Sequence, residues 1–469
     1  MGAEITKSEF SIEDYLTFTN NLKEETKYLQ EQFLAQKCSQ KKLQAGFEIE
    51  ACLIDKQMRP APKNEEFIKR LGSEFITYEL AKFNFEINNT PHPLEGDAFR
   101  LFASELEETF SDIERVANEL DIEPITVGIL PTLKEEDFCL ENMSPMNRYR
   151  ALNEQILKKR HYAPITLNID SIHDTLIFLH NSVMLEAAAT SFQVHTQVPF
   201  DKAHYYYNAS IFLSSIMVAL SANSPFLFKK RLWDESRIPL FEQSIDTAEK
   251  IKRVSFGSGY ADSILEPFLE NIERYDVLLP LALNEKREKL AHLKLHNGSI
   301  WRWNRALVGE DEDGTLHFRI EHRVMPSGPT LKDMLANALF FYGLEHIFAK
   351  KFEAKEPLEP FEVAKSNFYK AAKYGLDARV VFEGEKITVA NVILDKLLAL
   401  SKEGLESLNI DSRDIKYYLN IITRRVQSKQ NGASWQRQFV KKYGDDMQEL
   451  TRVYLHNQKL GEEVSQWEI

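Results

Sequence analysis

The feature that most constrains this chain is a set of five short runs in which apolar residues alternate with polar residues of an unusual kind. Side chains alternate across a strand, so residues i and i+2 share a face. In FEIEACLI, Phe47, Ile49, Ala51 and Leu53 form an apolar face, and Glu48 and Glu50 stand together on the other. In FNFEIN, Phe83, Phe85 and Ile87 oppose Asn84, Glu86 and Asn88. In FQVHTQV, Phe192, Val194, Thr196 and Val198 oppose Gln193, His195 and Gln197. In FRIEHRV, Phe318, Ile320, His322 and Val324 oppose Arg319, Glu321 and Arg323. In IWRWNRA, Arg302 and Asn304 share a face with Ile300 and Ala306. One such run is what any half-buried strand with a solvated face looks like. Solvated faces usually carry Lys, Thr and Ser, however, and these carry Glu, Asn, Gln, His and Arg almost without Lys.

If the runs share one sheet, its polar face gathers Glu48, Glu50, Glu86, Glu321, His195, several amides and the arginines. Carboxylates that close together need cations to coexist. An oxygen-rich set with one imidazole suits a hard cation such as Mg²⁺ or Mn²⁺. Arginines among the carboxylates point to an anionic ligand, most simply phosphate. Metals plus arginines around a phosphoryl group is the arrangement that stabilises its transfer. The chain has no GxxxxGK[ST], kinase-type Gly-rich loop, GxSxG or HExxH. Gly257–Gly259 reads as a turn, and His180, His292 and His296 read as structural.

With 58 Lys+Arg against 71 Asp+Glu, the chain carries a net charge of -13, which argues against a general nucleic-acid binder. Three cysteines without a CxxC pair fit a reducing compartment, so a cytoplasmic location is expected. The N-terminus lacks a basic segment followed by an apolar one, so no signal peptide is expected, and Gly2 only loosely fits a myristoylation pattern. Residues 209–228, the most apolar stretch, contain five serines and read as a buried helix rather than a membrane span. Helices are expected over 8–42, with Ser11 as N-cap, and over 96–120, 142–160 (after a loop), 175–189 and 202–221; a short strand is expected at Ile125–Leu130. From Thr330 onward the pattern is mainly helical. No repeat and no linker appears, which favours one catalytic unit with helical ends.

The pieces GFEIEACLID, FEINNTP, SFQVHTQVPF, SANSPFLFKKRLWDESR, HNGSIWRWNR and FRIEHRVMPSGPT together resemble the glutamate–cysteine ligase type 2 family, carboxylate–amine ligases related to glutamine synthetase. The resemblance implies an α+β fold: a curved antiparallel sheet as the active-site floor, helices packed outside it, and a helical C-terminal region. It divides the chain into an N-terminal helical segment, 1–45, a catalytic region, 46–330, and a helical region, 331–469, open to a role as a cap or as a contact between copies in a homo-oligomer. It implies ATP and Mg²⁺ or Mn²⁺ as cofactors and amino acids as substrates: ATP phosphorylates a carboxylate, and an amine then attacks the acyl phosphate. Neither nucleic acid nor membrane is an expected partner. By resemblance, Glu48, Glu50, Glu86, His195 and Glu321 hold metal, and Glu48, Glu321 and Arg323 serve catalysis, with Arg323 meeting phosphate. Gln193, Arg237, Arg302, Asn304 and Arg319 are expected to contact substrate or ATP; Arg148 is open to that role or to a structural ion pair. Two rival readings stand beside the ligase: a phosphotransferase acting on a guanidino or amine acceptor, and a non-catalytic ligand binder of the same fold.

Overall fold

The structure, a computed structural model, describes residues 10–469; Gly2 and the start of the expected first helix lie outside the described residues. Six strands form the main path of an eight-stranded sheet: β1 (Gln44–Ile54), β2 (Ile76–Tyr78), β3 (Asn84–Asn88), β4 (Phe192–Val198), β5 (Asn304–Glu310) and β6 (Leu316–His322). Their spatial order is β5-β6-β4-β1-β3-β2, and every neighbouring pair is antiparallel. Two short pieces, His92–Pro93 and Glu123–Ile125, also pair with β1. The sheet is curved, and helices cover its apolar side.

Strand alternation divides the sheet as the sequence implies. Phe47, Ile49, Phe85, Ile87, Phe192, Val194, Phe318 and Ile320 are fully covered, or nearly so, on the helix-packed side. Three helices dominate that side: α1 (Ala98–Glu119), α2 (Ala203–Ser221) and α3 (Leu331–Glu353). Helix α2 is buried on nearly every face, which explains its all-round apolar composition without a membrane. Among the described residues no helix is long and apolar enough to cross a membrane. Thr330 caps α3, its hydroxyl accepting from the Asp333 amide. Helix α3 crosses the helix Leu398–Ser407 so closely that a Cβ on Gly404 would lie 2.0 Å from the Gly343 carbonyl oxygen; only glycine permits that approach.

Three expectations are corrected. Residues 175–189 are not a helix: Thr175–His180 is a strand paired with Ile165–Asp170, followed by a 3₁₀ turn at Val183–Ala188. The apolar run TLIFLH fits either period, and pairing with its neighbour decides for the strand. Residues 125–130 form no strand of their own beyond the end of Glu123–Ile125. The run 300–306 is broken: Trp301–Arg302 pairs in parallel with Val254–Ser255, outside the large sheet, and β5 starts at Asn304. The N-terminal helix runs Ile12–Leu34, with Ser11 and Asp14 forming a reciprocal capping box.

Candidate active site

Register places the polar side chains in rows across the open face. One row is Arg305 on β5, Glu321 on β6 and His195 on β4. A second sets Gln193 on β4, Glu48 on β1 and Asn88 on β3 side by side. A third pairs Glu50 on β1 with Glu86 on β3, and Glu86 with Thr77 on β2.

Two oxygen-rich groups result. In the first, Glu48, His195 and Glu321 bring ligand atoms within 4.8 Å of one another. His195 Nε2 stands 3.3 Å from Glu48 Oε1 and 3.9 Å from Glu321 Oε1. Both imidazole nitrogens are buried without a hydrogen-bond partner among the described residues. Arg305 grips Glu321 with two parallel bonds, Nε to Oε2 at 2.8 Å and Nη2 to Oε1 at 2.9 Å. Burial works to raise the Glu321 carboxyl, but Arg305 and Arg323 overcome it and hold it ionised, well below the ordinary carboxylate range. Glu48 likewise resists burial through His195 and titrates at about 2.

The second group is Glu50, Glu79 and Glu86. Here burial wins. It pushes Glu50 to about 7, against the pull of Arg323, and Glu86 and Glu79 are also raised, each by burial and then by a neighbouring carboxylate. Glu50 accepts from the Ser191 amide at 2.6 Å and from Gln193 Nε2 at 3.0 Å. Glu86 Oε1 accepts from Thr77 and Asn88, while Glu86 Oε2 and Glu79 Oε1 are buried without a partner among the described residues. Unpartnered buried carboxylate oxygens are costly. A divalent cation would satisfy them, and the donor sets, carboxylates plus one imidazole in the first group and carboxylates alone in the second, fit Mg²⁺ or Mn²⁺.

The arginines divide by position. Arg323 lies on this face, its Nη1 donating to Gln193 Oε1 at 2.5 Å and to Glu321 Oε2 at 3.1 Å, with a buried Nε that has no partner among the described residues. Arg319, on the same face, also has a buried Nε without a partner among the described residues. Arg148 donates from Nη2 to the Tyr149 hydroxyl at 3.0 Å and to the Tyr78 carbonyl at 3.4 Å; Tyr149, and after it Glu79 and Glu86, raise its pKa against burial. Three expected contacts are placed elsewhere. Arg237 is consumed by the protein: its guanidinium meets Glu235 and the carbonyls of Arg323 and Val324, and it stacks on Trp303. It thereby fixes the backbone that carries Arg323. Arg302 is tied to Asn271 and Glu270 off the sheet. Asn304 turns to the helix side, bonding Ser214 on α2 and His322.

Three residues escaped the sequence reading. Arg305 was readable: if Ala306 packs inward, Arg305 must face out with Glu321. Glu79 follows β2 in a turn, where no alternation marks it. Glu186, in the 3₁₀ turn before β4, is pushed to about 8 by burial and then by Glu50, with Arg323 opposing.

Comparisons with known proteins give the family and the fold. The family model described as glutamate-cysteine ligase family 2 matches residues 44–456, nearly the whole chain. No curated protein sequence matches the chain. Among solved structures, a glutamate–cysteine ligase from Francisella tularensis, in complex with AMP, superposes with a TM-score of 0.55 at 11% identity, covering 92% of this chain and 91% of that one. A bifunctional glutathione synthetase from Pasteurella multocida gives a TM-score of 0.51 at 13% identity, covering 95% of this chain and 54% of that one. These likenesses establish a shared fold. The chain belongs to glutamate-cysteine ligase family 2, and it is an ATP-dependent ligase that forms carbon–nitrogen bonds.

Proposed function

We propose that this enzyme joins the carboxylate of an acidic amino acid to an amine through an acyl phosphate, with glutamate and cysteine as the first pair to test. The observation that carries the reading is the presence of two partly to fully buried, oxygen-rich groups beside Arg323 and Arg319 on one sheet face. Glu48, His195 and Glu321 would hold one divalent cation, and Glu50, Glu79 and Glu86 another. Bound there, the cations would neutralise the carboxylates and polarise phosphate oxygens.

The remaining work falls to the chain's own side chains. Arg323 offers a planar, two-pronged donor to the oxygens of the phosphoryl group as charge spreads over them. Arg305 already neutralises Glu321 with two bonds, so Arg323 is not needed for that task. Gln193 holds Glu50 and accepts from Arg323, which links the two groups mechanically. The catalytic work is assigned to residues 46–330, with 331–469 packed against them. The free Cys38, Cys52 and Cys139 support a cytoplasmic setting.

The test is product analysis across a panel of acidic amino acids and amines. A ligase releases ADP, phosphate and an amide together. ADP with a phosphorylated acceptor and no free phosphate would instead support phosphotransfer, and no ADP with any pair would support a ligand binder.

A further inference from the structure

Away from the sheet, the helix Phe361–Tyr374 packs against a hairpin made of Arg379–Phe382 and Glu385–Thr388. Between them lies an open cavity of about 550 Å³ lined by Lys370, Tyr374, Asp377, Arg379, Val381 and Lys386. None of these residues belongs to the eight-stranded sheet.

The convergence is built by geometry. Lys370 and Tyr374 are four apart on the helix and so share its face. Arg379 and Val381 share one face of their strand, and Lys386 stands directly opposite Val381, so Arg379 and Lys386 rise diagonally from the same side of the hairpin. The cavity's one carboxylate, Asp377, is already held by Lys429 at 2.6 Å. Lys370, Arg379 and Lys386 form no ion pair and no side-chain hydrogen bond among the described residues. A further cation, Lys373, sits 5.9 Å over the ring of Tyr374. Three convergent cations without an ion-pair partner among the described residues are out of character in a chain of net charge -13. They repel one another, and a bound anion relieves that repulsion. Arg379 offers a fork for phosphate oxygens, the lysines add point charges, and the half-exposed Tyr374 ring supplies a wall with a hydroxyl.

We propose that this cavity binds a small soluble molecule carrying a phosphate or pyrophosphate group, at a site separate from the catalytic face. The test uses the full chain, stripped of divalent cations with a chelator, and titrates inorganic pyrophosphate by calorimetry at low salt. Without cations the carboxylate-rich catalytic face repels the probe. One site is expected, with affinity falling as salt is raised. Charge reversal of a contacting cation, in Arg379→Glu or Lys386→Glu, should weaken binding by about tenfold or more. Lys370→Glu, on the helix rather than the hairpin, should do the same, and unchanged melting temperatures would show that the variants fold. Lys441→Glu, an equal charge change on an exposed site elsewhere, should leave binding intact. Three results overturn the proposal: no pyrophosphate binding at millimolar concentration, an equal loss in Lys441→Glu, or cosedimentation with phosphatidylserine vesicles that pyrophosphate does not compete away.

Discussion

Glu345 offers a quantitative check on the architecture behind the active site. It lies on α3 and is 1% exposed. Its carboxyl accepts from Thr196 Oγ1 on β4 and Ser210 Oγ on α2, each at 2.8 Å, and has no cationic partner among the described residues. Thr196 follows His195 directly, so this contact braces the strand that carries the imidazole. Burial pushes Glu345 from 4.5 up to about 8, the two hydroxyl bonds opposing only in part. The folded state therefore holds a proton that the unfolded chain releases near its ordinary value. The stability is fully present below pH 4.5, and it drains away as pH rises towards 8. Each pH step over that interval costs about 1.4 kcal/mol, so the cost at pH 7 is about 3 kcal/mol. Glu345→Gln stays neutral at every pH, and the Thr196 and Ser210 hydroxyls can turn to accept from its amide. The variant should lie within about 1 kcal/mol of the parent at pH 5 and be more stable by about 4 kcal/mol at pH 8. In a chain of 469 residues that is a gain of about 4 °C in melting temperature. Calorimetric melts at pH 5, 6, 7 and 8, with divalent cations chelated, read it directly. A gap between variant and parent that stays constant across pH would refute the reasoning.

The remaining expectations concern the site and one helix crossing. Glu86→Gln should weaken Mg²⁺ or Mn²⁺ binding in the presence of nucleotide by about tenfold or more while leaving the circular dichroism unchanged; equal affinities by calorimetry would contradict the second group. Arg323→Lys keeps the charge but loses the fork, so turnover should fall about 10²-fold or more with a smaller change in apparent ATP affinity. Near-normal turnover would reduce Arg323 to a structural neighbour of Glu321. Gly404→Ala forces its methyl group against the Gly343 carbonyl oxygen and should cost about 1–3 kcal/mol or more in stability, so an unchanged melting temperature would argue against the close crossing.

Much of the site was legible because strand alternation is strict. Once Phe47 and Ile49 pack inward, Glu48 and Glu50 must face the other way, and the same holds for Glu86, His195, Glu321 and Arg323. What alternation cannot supply is the identity of neighbours. That His195 stands opposite Glu321 and Glu50 opposite Glu86 depends on register, which long-range pairing sets. It also fails where a strand breaks. The shift from Trp301–Arg302 in a parallel pair to β5 sends Arg302 to the Glu270 side and Asn304 to the helix side, although both lie within one apparent run. Arg237 illustrates a further limit: an arginine beside a phosphate-binding face reads as a ligand contact until its partners are known, and here Glu235 and two carbonyls fill its donors. Glu79 and Glu186 sit in turns, where periodicity says nothing about direction. The hairpin at 379–388 was overlooked for a related reason, since four-residue strands inside a helical stretch carry too little pattern to stand out.

The central claim is that this face activates a carboxylate as an acyl phosphate. Hydroxylamine supplies a strong nucleophile in place of the amine substrate, so incubation with ATP, Mg²⁺ and candidate acidic amino acids should yield a hydroxamate, at a lower rate, together with ADP and phosphate. Glu321→Gln should abolish that product. Release of ADP with any of these acids, accompanied by no hydroxamate, would contradict the account.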